Sequence, residues 1–175
     1  EVVQVYSQTE SHASLLANKL SCSYTTKPES ILVDADIYIF SVKDSALLDL
    51  IHKIPQNKGL WLHTAGSVPM GVFEGYNDRY GVLYPLQTFS KNRDIDFSIV
   101  PVFIESNSAG DEAYLLSFAG KLTRQVISLS SEKRKHLHLA AVWACNFTNH
   151  MYLMASKILQ EQSLSDAFLL PLIDE

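Results

Sequence analysis

Basic residues are scarce in this chain of 175 residues, which carries 14 Lys and Arg against 19 Asp and Glu and a net charge of −5. Surfaces that bind nucleic acid or anionic membranes need clustered Lys and Arg. The short basic run of Lys133, Arg134 and Lys135 is interpreted as the solvated start of a helix. We therefore expect neither a nucleic acid nor a membrane among the partners.

Cysteines and long apolar runs are also few. The two cysteines, Cys22 and Cys145, lie far apart without CxxC or metal-ligand spacing, which is typical of reduced thiols in the cytoplasm. A chance disulfide between them is the open alternative. No segment reaches the ~18–20 apolar residues of a membrane span, and residues 1–6 lack the pattern of a signal peptide. These absences predict a cytoplasmic protein.

Motifs of several common chemistries are missing too. The seven glycines form no GxGxxG, no P-loop and no GxSxG elbow. His136 and His138 fall on different helix faces, and His150 has no carboxylate or thiol at ligand spacing, so no metal site is predicted. A hydrolase that uses Ser67 with His63 is disfavoured, because nothing supplies the group that would orient the base.

Short apolar segments alternate with amphipathic helices over the first 130 residues. The predicted strands are residues 2–6, 36–42, 60–64, 80–84, 100–105 and 125–129, and the predicted helices are residues 10–20, 45–54 and 111–122. Parallel strands must be joined by crossover connections, which are usually helices. The alternation therefore predicts an α/β domain with a mostly parallel sheet covered by helices.

Residues 131–175 predict a helical domain instead. Ser131 is the predicted N-cap, Glu132 suits the positive end of the helix dipole, and no Gly or Pro occurs in residues 132–167. We predict one helix of roughly 28 residues, about 40 Å long. The helix is largely apolar around its circumference, so a second domain or a dimer partner should cover it.

Polar or small residues follow three predicted strands, at the strand ends where such sheets bind ligands. These residues are Ser7, Gln8 and Thr9; Ser41, Val42 and Lys43; and His63, Thr64, Ala65 and Gly66. Hydroxyls and an amide after the first strand tolerate the 2′-phosphate of NADP, whereas an acid there would select NAD. Two alternatives stay open: Thr9 as an ordinary helix cap, and Gly66 as part of a plain turn.

One face of the predicted long helix is polar. At ~100° per residue, a stripe about 80° wide contains Lys135, His138, Val142, Asn146, Asn149 and Leu153. Buried polar groups need partners, so the stripe indicates a polar interface or a cleft. His138 is the candidate acid or base, Asn146 would orient the substrate, and Lys135 is a weaker electrostatic candidate. The alternative is that His138 has no catalytic role and makes its hydrogen bonds within a protein core or an interface.

Three segments carry a family resemblance: LHTAGSVP at residues 62–69, YGVLYPLQTFSK at 80–91 and HLAAVWACNFTNHMY at 138–152. In this order and spacing they resemble a bacterial family with a Rossmann-like first half and a second half classed as a domain of unknown function. Its members are commonly labelled NADP oxidoreductases. More distantly, the layout is similar to pyrroline-5-carboxylate reductase and the 6-phosphogluconate dehydrogenase superfamily, whose helical domain supplies substrate groups and dimer contacts.

The resemblance implies a Rossmann-type, mostly parallel sheet in residues 1–130 and an all-helical domain in residues 131–175 that starts with a long interdomain helix. It also implies a homodimer formed through the helical domain. The family begins with a strand and a glycine-rich turn before Val2, so we expect the first strand and the pyrophosphate-binding turn to be missing here. We also expect the C-terminal end to be truncated, because more helices would be expected after residues 164–175. The chain by itself is expected to bind dinucleotide poorly or not at all.

Roles for the loop residues follow from the same resemblance. Residues 7–9 match the cofactor-phosphate loop, residues 41–43 the loop over the dinucleotide, and residues 63–66 the nicotinamide-side turn. His138 and Asn146 match polar positions on the interdomain helix. A departure occurs at Gln8, where the family implies Arg, and this weakens the preference for NADP over NAD.

We therefore expect an NAD(P)-dependent oxidoreductase that transfers hydride to or from a small carbonyl, imine or hydroxy compound. The alternative is a non-catalytic NAD(P)-binding or dimeric interaction module, in which the stripe of His138, Asn146 and Asn149 pairs across a dimer interface. If the stripe lines a cleft that faces His63 and Thr64, the enzyme hypothesis is favoured over the interaction module. A shared fold does not specify which substrate the protein uses.

Overall fold

A computed structural model describes residues 1–90 and 93–173 of the chain. Two predictions extend beyond the described residues. The segment that resembles the family at residues 80–91 ends at Lys91, and the predicted helical domain ends with residues 174–175. The chain divides into two compact units, Glu1–Lys135 and His136–Glu175. None of the described helices combines the length and apolar character that a bilayer crossing requires.

The first unit holds two sheets. The described strands are β1 Gln4–Tyr6, β2 Ser23–Thr25, β3 Ile37–Phe40, β4 Leu60–His63, β5 Tyr80–Pro85, β6 Val102–Ser106 and β7 Val126–Ser128. Strands β1 and β2 form a parallel pair, and the larger sheet has the order β3-β4-β5-β6-β7, in which the β5–β6 pair is antiparallel. The predicted Rossmann-type α/β fold with a mostly parallel sheet is confirmed.

Three α-helices belong to this unit in full: α1 Glu10–Leu20, α2 Asp44–Ile51 and α3 Ala109–Ala119. Helix α1 has the predicted bounds, and it ends at Ser21, which has a left-handed backbone (φ 54°). The Ser21 N–H donates to the Asn18 carbonyl, and the Cys22 N–H donates to the Ala17 carbonyl. Strand β2 was not predicted. It is three residues long and Ser23 and Tyr24 are exposed, so it lacks the apolar run that marks a buried strand.

The core lies on both faces of the larger sheet, and β4 explains why. All four residues of β4 are buried, and side chains alternate between the two faces of a strand. Trp61 belongs to one buried cluster with α2 residues, whereas Leu60 and Leu62 belong to another with α3 residues. Helices therefore cover both faces, and the carboxyl ends of the strands are left for loops.

The remaining helices are α4 Ser131–Ala141, a π-helical turn Val142–Phe147, α5 Thr148–Glu161 and the short α6 Leu170–Ile173. The long predicted helix is present, but its middle turn is not α-helical. The boundary between the two units falls within α4, between Lys135 and His136. The predicted domains, residues 1–130 and 131–175, stay a prediction.

Candidate functional site

Two of the predicted loops meet at neighbouring strand ends. Phe40, the last residue of β3, pairs in register with His63, the last residue of β4. The Ser67 hydroxyl donates a hydrogen bond of 2.7 Å to the Asp44 carboxylate at the start of α2. The structure therefore brings the loop after β3, residues 41–43, next to the loop after β4, which we call the β4 loop and define as residues 64–69.

The polar groups of these two loops are accessible. Ser41, Val42 and Lys43 are exposed, and Thr64 and Ala65 are partly exposed, whereas Gly66 is buried. A hydroxyl and an ammonium group thus lie beside small residues whose backbone a ligand can approach closely.

The side chain of His63 points into the protein instead. It is fully buried, and its Nδ1 accepts a hydrogen bond of 3.2 Å from the Ala65 N–H. Burial, followed by the positive charge of Arg134, lowers its pKa to about 4. The imidazole is therefore neutral at neutral pH, and contact with a ligand here falls to the backbone and side chains that follow His63.

The loop after β1 carries the remaining predicted cofactor residues, Ser7, Gln8 and Thr9. The Ser7 hydroxyl accepts a hydrogen bond of 3.3 Å from the Thr9 N–H. Thr9 occupies the N-cap position of α1, but its side chain makes no capping hydrogen bond. Gln8 lines a cavity of about 330 Å³, whose described lining is Tyr6, Gln8, Thr26, Pro28, Glu29, Asp49, Leu50 and Lys53. Sequence analysis missed the three charged residues, because they are far from Gln8 in the chain and only packing brings them together.

A buried ion pair forms a further polar centre in this unit. Arg134 Nη1 donates to Glu105 Oε2 at 2.5 Å, and the side chains are only 1% and 17% exposed. Arg134 Nη2 donates to the Val68 carbonyl at 2.6 Å. The interpretation of Arg134 as part of a solvated basic run is therefore wrong, because an acid 29 residues earlier in the chain and a loop carbonyl draw it inside.

Ser131 belongs to the same centre. Its N–H and hydroxyl donate to the two oxygens of Glu105 at 2.8 and 2.6 Å, and its hydroxyl accepts the Met70 N–H at 2.9 Å. The predicted N-cap is thus off by one: Ser130 precedes the helix, and its carbonyl accepts the Arg134 N–H at 2.8 Å. We call Arg134, Glu105 and Ser131 the Arg134 clamp; sequence analysis missed it as a unit.

Register places the clamp and His63 on the same face of the sheet. His63 pairs with Val82 of β5, and Val82 pairs with Glu105 of β6. Directly paired residues point to the same face. Two buried nitrogens here, His63 Nε2 and Arg134 Nε, have no hydrogen-bond partner within the described part of the chain. Such atoms normally pair with water or a ligand.

The three catalytic candidates divide between the two units. Lys135 is exposed at the end of the first unit, while the half-buried His138 and the exposed Asn146 belong to the second. Both lie on the helical run that begins with α4.

The predicted stripe changes in its second half. A π-turn closes i→i+5 hydrogen bonds, so each of its residues advances by less than the 100° of an α-helix. Asn149 and Leu153, which follow the π-turn, are therefore rotated relative to His138, which precedes it. Asn146 instead shares a depression of about 350 Å³ with Val142, Phe147 and His150. A π-turn leaves no signal in helical periodicity, and π-turns are frequent at functional sites.

Both cysteines, Cys22 and Cys145, are free thiols. Among residues 1–90 and 93–173, no group of three His, Cys, Asp or Glu side chains is arranged to hold a metal ion.

A dinucleotide is the group that the family resemblance implies for these loops. The donors suit it: the Ser41 and Thr64 hydroxyls and the Lys43 ammonium can bind ribose or phosphate oxygens. The unpartnered His63 Nε2 and Arg134 Nε are buried behind these groups and leave hydrogen-bonding capacity for a buried water. The residues present therefore fit the nicotinamide half of such a cofactor.

Comparison with known proteins gives a consistent picture. Residues 100–175 match a family described as a domain of unknown function, DUF2520. A solved structure from Bacteroides fragilis, described as a “putative NADP oxidoreductase”, is 47% identical, with a TM-score of 0.88, over 99% of this chain and 68% of its own. No curated protein matches.

Two more distant structures share the fold. A reductive aminase from Aspergillus terreus in complex with NADPH is 16% identical over 98% of this chain, with a TM-score of 0.74. A 1-pyrroline-5-carboxylate reductase from Streptococcus pyogenes is 11% identical over 98% of this chain, with a TM-score of 0.68. This chain covers 62% and 65% of these proteins, so it spans somewhat less than two thirds of their length.

Proposed function

This chain belongs to the family of the Bacteroides fragilis protein, and from that membership we propose that it is the body of an NAD(P)-dependent oxidoreductase. One observation carries the proposal. The exposed polar loop after β3 lies beside the β4 loop at paired strand ends, and the Ser67–Asp44 hydrogen bond joins them. Ligands of such sheets bind outside the carboxyl ends of the strands.

Each loop has its own part in binding. Ser41, Val42 and Lys43 would lie over the dinucleotide, and His63, Thr64, Ala65 and Gly66 would form the turn on the nicotinamide side. The partly exposed Thr64 and Ala65 support the second role, since the buried His63 side chain can act only by shaping the turn.

The loop after β1 would receive the adenosine ribose through Ser7, Gln8 and Thr9. We propose NADP as the cofactor, with NAD possible. In the Gln8 cavity the Lys53 ammonium favours a 2′-phosphate, while the Glu29 and Asp49 carboxylates oppose it. The preference for NADP over NAD is therefore expected to be modest.

Gln8 gives a test of this preference. Gln8→Arg should lower the Kd for NADPH relative to NADH by about tenfold, because a guanidinium forms charge-assisted bonds with a phosphate. Calorimetric titration of the full-length protein measures both constants. Gln8→Leu, which adds no charge, should change the ratio little; an unchanged ratio in Gln8→Arg would place the 2′-phosphate elsewhere.

The bound cofactor supplies the hydride, so the protein must position the substrate and handle a proton. We propose that His138 gives or takes that proton, because imidazole can do both near neutral pH. Asn146 would orient a small carbonyl, imine or hydroxy substrate, and Lys135 would add a positive charge.

A pair of neighbouring histidines tests the role of His138. His138→Gln should lower kcat by about 10²–10⁴, the usual contribution of a general acid or base. The exposed His136 offers a matched control, and His136→Gln should retain activity. NADPH oxidation by the full-length protein, followed with a panel of small imines and ketones, gives the rates. Equal rates in the two variants would remove His138 from the mechanism.

The whole proposal depends on cofactor binding. We expect the full-length protein to bind NADPH, NADH or both when titrated by calorimetry. Binding of neither at millimolar concentration would contradict the proposed function.

A homodimer formed through the helical region is the second proposal, and it is supported by exposed apolar side chains. The rings of Trp143 and Phe147 stack with their centroids 4.5 Å apart. Trp143 is 62% exposed, Phe147 is 45% exposed and Ile158 is 66% exposed. Exposed apolar patches mark interaction surfaces. Sedimentation velocity of the full-length protein checks the dimer. A dimer that binds no dinucleotide would instead favour a non-catalytic interaction module.

A further inference from the structure

The first turn of α4 is hydrogen-bonded to the segment that follows β4. Ser131 accepts the N–H of Met70, the residue directly after the β4 loop, at 2.9 Å. Arg134, one helical turn later, donates to the carbonyl of Val68 within the loop at 2.6 Å. Both contacts engage backbone groups, one within the loop and one directly after it, so they fix the path of the chain there whatever side chains the loop carries.

Glu105 holds these two side chains in place. One of its oxygens accepts the Ser131 N–H, and the other accepts both the Ser131 hydroxyl and Arg134 Nη1. Arg134 Nη2 also lies 3.2 Å from the Ser131 hydroxyl oxygen. With such charge-assisted bonds, neither side chain can leave the loop without breaking its contact with Glu105.

Stability alone does not account for such a centre. A buried ion pair can often be replaced by apolar residues without loss of stability, because desolvation offsets the attraction between the charges. In some proteins buried polar or ionic groups instead specify one conformation. In this protein the conformation in question is that of the β4 loop. Arg134 Nη2, which does not bond to Glu105, donates to the loop backbone at the Val68 carbonyl.

We propose that Arg134, together with Glu105 and Ser131, is a positioning device that holds residues 64–70 in the conformation that receives the nicotinamide half of the cofactor. This inference rests on the proposed function of the β4 loop. Arg134 acts through the loop backbone rather than by touching the cofactor. The clamp also couples the loop to the first turn of α4, so a displacement of that turn would be transmitted to the cofactor site.

Hydrogen exchange of the full-length protein without cofactor tests the clamp itself. Ser131→Ala removes the acceptor of the Met70 amide, and Arg134→Met removes the donor to Val68. Both should accelerate exchange in peptides covering residues 66–73 by at least about tenfold, an expectation based on one lost hydrogen bond. Lys133→Met is the matched control, since Lys133 is exposed on the same turn, and it should leave exchange unchanged. If Ser131→Ala and Arg134→Met both exchange as slowly as wild type, the clamp does not hold the loop.

Titration with NADPH then tests the positioning role. Arg134→Met should raise the Kd for NADPH by about tenfold, and Arg134→Lys, which can keep one bond, should restore part of the affinity. Faster exchange with an unchanged Kd in both Ser131→Ala and Arg134→Met would overturn the positioning role. A wild-type protein that binds neither cofactor would instead overturn the proposed function, while the exchange result would still decide whether the clamp orders the loop.

Discussion

Replacing Glu105 by leucine is expected to lower the free energy of unfolding by about 3–5 kcal/mol, the cost of removing one partner from a buried ion pair. The substitution leaves the Arg134 guanidinium, 1% exposed, without its carboxylate. It also removes the acceptor for the N–H and the hydroxyl of Ser131. Urea denaturation at neutral pH, followed by circular dichroism, measures the loss.

A second substitution separates the ion pair from general damage to the core. Glu105→Leu combined with Arg134→Met replaces both charges by apolar groups, so most of the lost stability should return. Glu74→Leu serves as the control, because Glu74 is exposed and such changes usually alter stability by less than about 0.5 kcal/mol. A loss below about 1 kcal/mol in Glu105→Leu would mean that the ion pair is open to water.

Acid should destabilise the protein through His63 over a defined range of pH. Its pKa is about 4 in the folded protein, where burial and Arg134 disfavour the charged imidazolium, against an ordinary value of 6.5. Between these values the unfolded chain binds a proton that the folded protein does not. Stability is therefore fully present above pH 6.5 and falls as the pH drops towards 4, by about 3 kcal/mol at ~1.4 kcal/mol per pH unit.

His63→Asn tests this pH dependence directly. Asparagine can retain an acceptor for the Ala65 N–H but does not titrate, so the variant should lose less stability between pH 6.5 and pH 4. His12→Asn, at an exposed position, controls for the loss of a histidine. Identical pH profiles for wild type and His63→Asn would show that folding does not lower the pKa of His63. Arg134→Met should raise the pKa of His63, because Arg134 lowers it, whereas Asp44, Glu105 and the Pro69 carbonyl raise it.

Local sequence signals predicted most of the fold. Helix α1 was placed at its observed bounds, because its apolar residues recur at helical spacing. Strand β4 was placed to within a residue, because its apolar run is buried on both faces. Strand β2 was missed because three residues with exposed side chains carry no apolar pattern.

Two errors at the site share a cause, which is that the geometry there depends on contacts between residues far apart in the chain. Nothing in the run of residues 133–135 shows that Arg134 alone is buried, because its partner Glu105 lies in β6. Ser130 and Ser131 are both suitable helix caps, and the hydrogen bonds of Ser131 to Glu105 decide between them. The π-turn at Val142–Phe147 could not be predicted from a projection that assumes a regular helix.

The roles given to the loop residues and to His138 stay predictions, and they share one requirement. The nicotinamide half of the cofactor must lie against the β4 loop while the Arg134 clamp remains closed. A crystal structure of the full-length protein with NADPH measures this directly. We predict that the nicotinamide ring lies against Thr64, Ala65 and Gly66, with Arg134 still bonded to Glu105 and to the Val68 carbonyl. A cofactor bound away from this loop, or bound only with the clamp broken, would contradict it.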